Sequence, residues 1–143
     1  MIKQLKRKTT DRMYENHKNE QYFFSRNTIQ LLCDALSGFN NICCLCTPTL
    51  GMELLLRGKT VQILDIDRRF ERFEGFRYFN IARPQWLGEK YDIIVCDPPF
   101  FNISLSQLFL TLRTLSLNDF NQRFCRKSPF QNSPIFLHRL IKK

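Results

Sequence analysis

The sequence lacks the features that mark membrane and secreted proteins. It has no run of about 18 apolar residues, so we expect no membrane-spanning helix. Residues 1–8 are basic and polar with no apolar stretch behind them, which predicts that no secretory signal is present. The six cysteines show no disulfide-framework spacing, and without an export signal we expect them to be reduced. These absences together predict a cytoplasmic protein with no membrane partner.

The composition excludes a disordered chain, and the charge is concentrated at the two ends. Hydrophobic residues make up 43% of the 143 residues, and 14 residues are phenylalanine. The net charge of +9 suggests a nucleic-acid partner. However, residues 1–20 hold six basic and three acidic side chains, and residues 120–143 hold six basic and no acidic ones. We therefore predict a basic N-terminal arm (1–20), one folded domain (21–118) and a basic, irregular C-terminal tail (119–143).

Hydrophobic spacing in the middle of the chain alternates between the helical and the strand pattern. Helical spacing predicts helices at 25–36, 47–58 and 104–117, and short apolar runs predict strands at 42–46, 61–66, 76–81 and 91–96. Strands that alternate with helices indicate an α/β fold with a mostly parallel sheet. Residues 119–143 follow neither pattern, which is why they are assigned to a tail.

Four residues at the end of the last predicted strand form a corner suited to an amino group: Asp97, Pro98, Pro99 and Phe100. In parallel sheets, ligands bind at the carboxyl ends of the strands. Two consecutive prolines fix the backbone and remove two N–H donors. The Asp97 carboxylate and the Pro98 carbonyl can then accept the two N–H bonds of an amino group, while Phe100 can stack on a flat base. The alternative is a proline-rich turn with a solvated aspartate.

Two further strand ends carry residues that suit a nucleoside-containing cofactor. Asp65 ends the second predicted strand, where an acidic side chain can accept hydrogen bonds from ribose hydroxyls. Its alternative role is that of a surface carboxylate at a turn. Thr47 and Pro48 open a helix, whose N-terminus can bind a carboxylate. We expect Asp67 instead to cap the following turn or to pair with a neighbouring arginine.

The cysteines and histidines do not predict a metal site. Cys43, Cys44 and Cys46 contain the C-x-x-C spacing of some zinc sites. A structural zinc ion needs four ligands, and no second pair of this kind is present. Buried, unreactive thiols in a strand are the favoured interpretation. His17 and His138 lie near the two ends, where we expect them to be solvated.

These motifs, in this order, resemble amino methyltransferases of the Asp-Pro-Pro-(Phe/Tyr) group that use S-adenosylmethionine. More narrowly, they resemble the probable N6-adenine methyltransferase family, which also contains lysine methyltransferases acting on elongation factor 1A. The resemblance rests on residues 21–25, 44–48, 64–70, 76–80 and 91–100. It implies a Rossmann-like fold and S-adenosylmethionine as the cofactor. It also implies two more cofactor-binding residues, Ser25 in a segment that closes over the cofactor and Asn80 near the adenine amino group. The alternative role for Ser25 is a helix N-cap.

The resemblance leaves three hypotheses for the function. The first is methyl transfer to adenine N6 in nucleic acid, the second is methyl transfer to a protein lysine, and the third is a non-catalytic remnant that binds nucleic acid through its basic tails. The fold of such enzymes implies further strands after Asp97. Because residues 120–143 lack strand patterning, we expect them to add no regular parallel strand, so that the catalytic domain is C-terminally incomplete.

Overall fold

The structure, a computed structural model, describes residues 14–116 of the chain. These residues include the four strands β1 (Asn41–Leu45), β2 (Thr60–Asp65), β3 (Phe76–Tyr78) and β4 (Ile93–Cys96). They also include the three α-helices α1 (Arg26–Ala35), α2 (Pro48–Leu56) and α3 (Leu105–Leu115), together with two short 3-10 helices, His17–Asn19 and Arg68–Phe70. The strands form one parallel sheet in the order β3-β2-β1-β4. The predicted α/β, Rossmann-like fold is therefore confirmed.

Strand β1 lies inside the sheet because both of its faces are apolar. Four of its five residues are buried. Ile42 pairs with Val61 of β2 on one side and with Ile93 of β4 on the other. Cys44 belongs to the core beneath α1 and α2, whereas Cys43 belongs to the core on the opposite face, beneath α3. Helices thus cover both faces of the sheet, as the continuous apolar run of β1 predicts.

The helices begin at the residues that the sequence suggests. The Ser25 hydroxyl accepts a hydrogen bond from the Thr28 amide at 3.2 Å and caps α1. The Ser104 hydroxyl caps α3 in the same way, accepting from the Gln107 amide at 3.1 Å. Pro48 is the first residue of α2, a position where a missing N–H removes no intrahelical bond. Capping residues of this kind are local signals, which is why these helix starts could be predicted.

Strand β3 is shorter than the predicted strand at 76–81, which was wrong at its C-terminal end. The side chain of Asn80 accepts a hydrogen bond from the Ala82 amide at 2.9 Å, and this local turn follows the strand. Phe79 and Ile81 are nevertheless buried in the core beneath α3. The apolar pattern thus reports burial of a loop at these positions and not strand pairing.

Strands β2 and β3 are connected through a glycine whose conformation no other residue would adopt easily. The carbonyl of Gly75 accepts a hydrogen bond from the Ile63 amide at 2.9 Å. Gly75 has a φ of +80°, and a Cβ atom there would lie 2.1 Å from the Val61 carbonyl oxygen. This position therefore requires glycine for both backbone conformation and space.

Residues 1–13 and 117–143 lie outside the described part of the chain. The predictions for most of the basic arm, for the tail at 119–143 and for an incomplete C-terminus therefore stay predictions. Among residues 14–116, β4 is the outermost strand on its side of the sheet. None of the helices in that range has the length and apolar character needed to cross a membrane.

Candidate active site

A cleft of about 280 Å³ opens at the carboxyl ends of the strands. The segments that follow β1, β2, β3 and β4 line it, together with residues 18–24 ahead of α1. Eight of the nine predicted site residues line this cleft: Thr47, Pro48, Asp65, Asn80, Asp97, Pro98, Pro99 and Phe100. The structure thus brings together residues that are up to 53 positions apart in the sequence, from Thr47 to Phe100.

The corner after β4 is held by backbone hydrogen bonds. The amide of Asp97 donates to the Leu45 carbonyl at 3.3 Å and extends the pairing of β4 with β1 by one residue. The Pro99 carbonyl accepts hydrogen bonds from the amides of Asn102 and Ile103, at 2.9 and 3.0 Å, which closes a turn. Pro98 is buried in this turn. The turn therefore gives the Asp97 side chain a fixed origin at the edge of the cleft.

Asp65 is a buried carboxylate at the end of β2. Its side chain is only 7% exposed, and its Oδ1 atom accepts a hydrogen bond from the Asp67 amide at 2.8 Å. Burial raises the pKa of Asp65 to about 6, although backbone hydrogen bonds from Asp67 and Ile66 oppose this effect. The side chain is therefore mainly ionised at pH 7, in a place where ionisation is costly without a further hydrogen-bond donor.

Asp67 has the structural role that the sequence predicts for it. Its carboxylate accepts a hydrogen bond from the Arg69 amide at 3.0 Å and caps the 3-10 helix that follows β2. It also forms an ion pair with the Arg69 guanidinium at 2.6 Å. Burial alone would raise the pKa of Asp67, but hydrogen bonds from Arg69 and Gln21 outweigh it and lower the pKa. Both of the predicted roles, capping the turn and pairing with an arginine, are confirmed.

Two polar atoms of the cleft lining are buried without a hydrogen-bond partner among the described residues: Thr47 Oγ1 and Glu20 Oε2. Thr47 precedes α2 and is 3% exposed. Its hydroxyl lies near the Cys44 thiol, but a thiol is a weak partner and no hydrogen bond of ordinary geometry is formed. A buried hydroxyl at a helix N-terminus fits a ligand carboxylate, so the residues present suit a cofactor that carries one.

Ser25 is the one predicted site residue that does not line the cleft. Its hydroxyl contacts both the amide and, at 2.9 Å, the hydroxyl of Thr28, as an N-cap does. The residues just ahead of it, 18–24, line the cleft instead. Asn80 lines the cleft, but its side-chain oxygen is engaged by the Ala82 amide.

Replacing Ser25 by alanine tests its role as a cap. We expect Ser25→Ala to lower the free energy of unfolding by about 1 kcal/mol, because the Thr28 amide loses its acceptor. Ser25→Asp should restore most of the stability, since aspartate is also a good N-cap. Ser104→Ala, which removes the equivalent cap of α3, is the matched control for urea denaturation. A loss of ligand affinity specific to Ser25→Ala would show instead that Ser25 binds the cofactor.

The cysteine-rich segment contributes one residue to the cleft, and the sequence did not single it out. Cys46 follows β1 with a φ of +57°, a conformation that non-glycine residues adopt rarely, and it lines the cleft. Burial raises the pKa of Cys46 and Cys43 well above the usual range and that of Cys44 to about 12, so these thiols are poorly reactive at neutral pH. Residues 14–116 contain no group of three or more side chains placed to bind a metal ion.

Comparison with known proteins identifies the family. The family model described as "Probable N6-adenine methyltransferase" matches residues 15–137, a range that contains the whole cleft lining. The chain belongs to this family. The family resemblance proposed from the motifs is therefore confirmed, and with it the methyltransferase class.

The family also has a curated relative that matches this chain. It is the "Protein-lysine N-methyltransferase CG9154" of Drosophila melanogaster, which is 29% identical over 106 residues. The alignment covers 62% of this chain and 48% of the relative, so the chain spans about half the length of that protein. In this family, the fold and the cleft described above are thus shared with a protein whose name gives lysine as the methyl acceptor.

Proposed function

We propose that this protein binds S-adenosylmethionine in the cleft and transfers a methyl group to the side-chain nitrogen of a lysine in another protein. Membership of a methyltransferase family supports the reaction type, and the name of the Drosophila relative supports a lysine acceptor. Sequence analysis placed adenine in nucleic acid first and lysine second. The relative and the charge of the cleft reverse this order.

The charge of the cleft lining is the observation that carries the choice of acceptor. Four lining side chains are acidic, Glu20, Asp65, Asp67 and Asp97, and one is basic, Lys18. Arg69 offsets only the charge of Asp67. Proteins that bind nucleic acid present basic surfaces to the phosphates, so an acidic cleft disfavours a polynucleotide. A lysine ammonium group, by contrast, is attracted to such a cleft.

For the cofactor, the cleft offers a partner for each polar part. Asp65 would accept hydrogen bonds from the ribose hydroxyls, which would pair the ionised oxygens of this buried side chain. Thr47 and the N-terminus of α2, which begins at Pro48, would bind the methionine carboxylate. Asn80 lies beside them in the lining and would contact the adenine. When bound, the cofactor would supply a methyl group on positively charged sulfur as the electrophile.

For the acceptor, the corner after β4 orients the nitrogen. The carboxylate of Asp97 and the carbonyl of Pro98 would accept its N–H bonds, because the Pro99 carbonyl is already engaged by the turn. A lysine ammonium group must lose one proton before its lone pair can attack, and Asp97 is placed to accept that proton. Phe100 lines the cleft beside Asp97, and its ring face would attract the cationic side chain.

Transfer of labelled methyl groups tests the lysine acceptor. The protein would be incubated with methyl-labelled S-adenosylmethionine and, separately, with whole-cell protein extract, DNA and RNA. We expect label in protein only, released as methyllysine on hydrolysis. An extract whose lysines have been acetylated is the matched control and should accept no label, because an amide nitrogen has no available lone pair. Label in DNA or RNA alone would contradict the lysine proposal, and label in none of the samples would contradict methyl transfer.

A further inference from the structure

Residues 14–24, here called the strap, cross the cofactor end of the cleft in an extended path interrupted by the 3-10 helix at His17–Asn19. Seven consecutive strap residues, 18–24, line the cleft. The strap has no pairing partner in the sheet, whose four strands begin at Asn41. Its position therefore depends on side-chain hydrogen bonds.

One arginine makes several of these hydrogen bonds. Arg69 Nη1 donates to the carbonyl oxygen of Tyr14 at 2.8 Å, and Arg69 Nη2 donates to Gln21 Oε1 at 2.8 Å. The same guanidinium group is held by the carboxylate of Asp67, with Nε at 2.9 and 3.1 Å from its two oxygens and Nη2 at 2.6 Å from Oδ2. A single side chain thus connects both the start and the middle of the strap to the segment that follows β2.

The hydrogen bonds close into a ring and extend to Asp65. Gln21 Nε2 donates to Asp67 Oδ2 at 2.8 Å, so Gln21 is bound to both members of the ion pair. The Asp67 amide donates in turn to Asp65 Oδ1 at 2.8 Å. The strap is therefore linked through Gln21 and Asp67 to the carboxylate that we assign to the cofactor ribose.

We infer that Arg69 is a positioning residue that holds the strap against the cofactor end of the cleft. Its role depends on the proposed function only for the identity of the ligand, because the strap contacts are made in the chain itself. The geometry requires arginine: a planar guanidinium group can donate to Tyr14, Gln21 and Asp67 together, whereas a lysine ammonium group on a flexible stem cannot match that arrangement.

Hydrogen exchange and calorimetry on the full chain test this inference. In Arg69→Ala we expect amide exchange in residues 14–24 to become faster without any cofactor present, and the Kd for S-adenosylmethionine to rise by about tenfold, as the loss of charge-assisted hydrogen bonds implies. Arg69→Lys should restore little of either. The effect should appear in KM for the cofactor more than in kcat, because Arg69 does not line the cleft.

Arg57→Ala is the matched control. Arg57 also forms ion pairs, with Glu53 and Asp34, but these join α1 and α2 and involve no strap residue. We expect strap exchange and cofactor affinity to stay unchanged in this variant. Unchanged strap exchange in Arg69→Ala would overturn the inference. If the wild-type protein binds no cofactor, faster strap exchange in Arg69→Ala would still support the positioning role, while the proposed function would fail.

Discussion

Asp97→Asn is expected to reduce kcat for methyl transfer by about 100-fold or more, the range by which a positioned proton acceptor accelerates a reaction. An asparagine side chain keeps the shape of Asp97 and one carbonyl oxygen, but it cannot take a proton from a lysine ammonium group. The amide of residue 97 would still donate to Leu45, so the turn after β4 should keep its form. Cofactor affinity and the free energy of unfolding should therefore change little, and single-turnover transfer of labelled methyl groups would measure the loss.

The matched control for this variant lies at the other end of the same strand. Asp92 precedes β4, and its carboxylate accepts hydrogen bonds from the amides of Asn40 and Asn41, at 3.1 Å each, far from the cleft lining. Asp92→Asn should lower stability slightly and leave methyl transfer unchanged. Full activity of Asp97→Asn would contradict the assigned role of Asp97.

Asp65→Asn should have opposite effects on stability and on cofactor binding. The pKa of Asp65 is about 6 in the fold, against 3.8 for an exposed aspartate. A difference of about two pH units at 1.36 kcal/mol per unit corresponds to about 3 kcal/mol of destabilisation by the ionised form at pH 7. Asparagine carries no charge and can still accept the Asp67 amide, so the variant should be more stable at pH 7. The Kd for S-adenosylmethionine should rise by about tenfold, because the charged acceptor for the ribose is lost.

The pH dependence of stability gives a second measurement of the same effect. Between about pH 4 and pH 6 the folded protein keeps a proton on Asp65 that the unfolded chain has released. The contribution of this group to the free energy of unfolding therefore falls as the pH rises through this window, and it is fully present only below about pH 4. Urea denaturation of wild type and Asp65→Asn should give a difference that grows from near zero at pH 4 to its full size above pH 6. A difference that does not depend on pH would contradict a raised pKa.

Cofactor affinity should show the reverse trend with pH. Protonation of Asp65 below about pH 6 removes one acceptor for the ribose hydroxyls, so affinity in the wild type should weaken as the pH falls from 8 to 5. In Asp65→Asn, this part of the pH dependence should be missing. Isothermal calorimetry at several pH values, with the number of protons exchanged on binding, would separate the two proteins. A wild type whose affinity is independent of pH would contradict the assigned contact.

Much of the fold could be predicted because its signals are local. The apolar run of β1 indicates a strand buried on both faces, and Ser25, Pro48 and Ser104 mark helix starts. Since the carboxyl ends of parallel strands meet at one edge, the residues after each strand could also be assigned to a common site. This is why eight of nine predicted residues line the same cleft.

The features that could not be predicted depend on long-range contacts or on competing local ones. Arg69 and Tyr14 are 55 residues apart, and no periodicity links them. The apolar side chains of Phe79 and Ile81 indicated a longer β3, but they are buried beneath α3 after the strand has ended. Ser25 suited both a cap and a cofactor contact, and only the structure shows its hydroxyl turned to Thr28. The backbone of Cys46 has the conformation that glycine adopts easily, yet its residue type gave no sign of it.

The order of the strands divides the cleft into two separately encoded halves. Going outward from β1, the chain first adds β2 and β3 on one side and then returns to add β4 on the other, so the direction of winding reverses beside β1. The residues proposed for the cofactor, Thr47 to Asn80, follow the first half, and the corner at Asp97 belongs to the second. Substitutions after β4 can therefore change the acceptor without disturbing the cofactor half. Such modularity gives a physical route by which one family can carry adenine in its description and lysine in the name of a member.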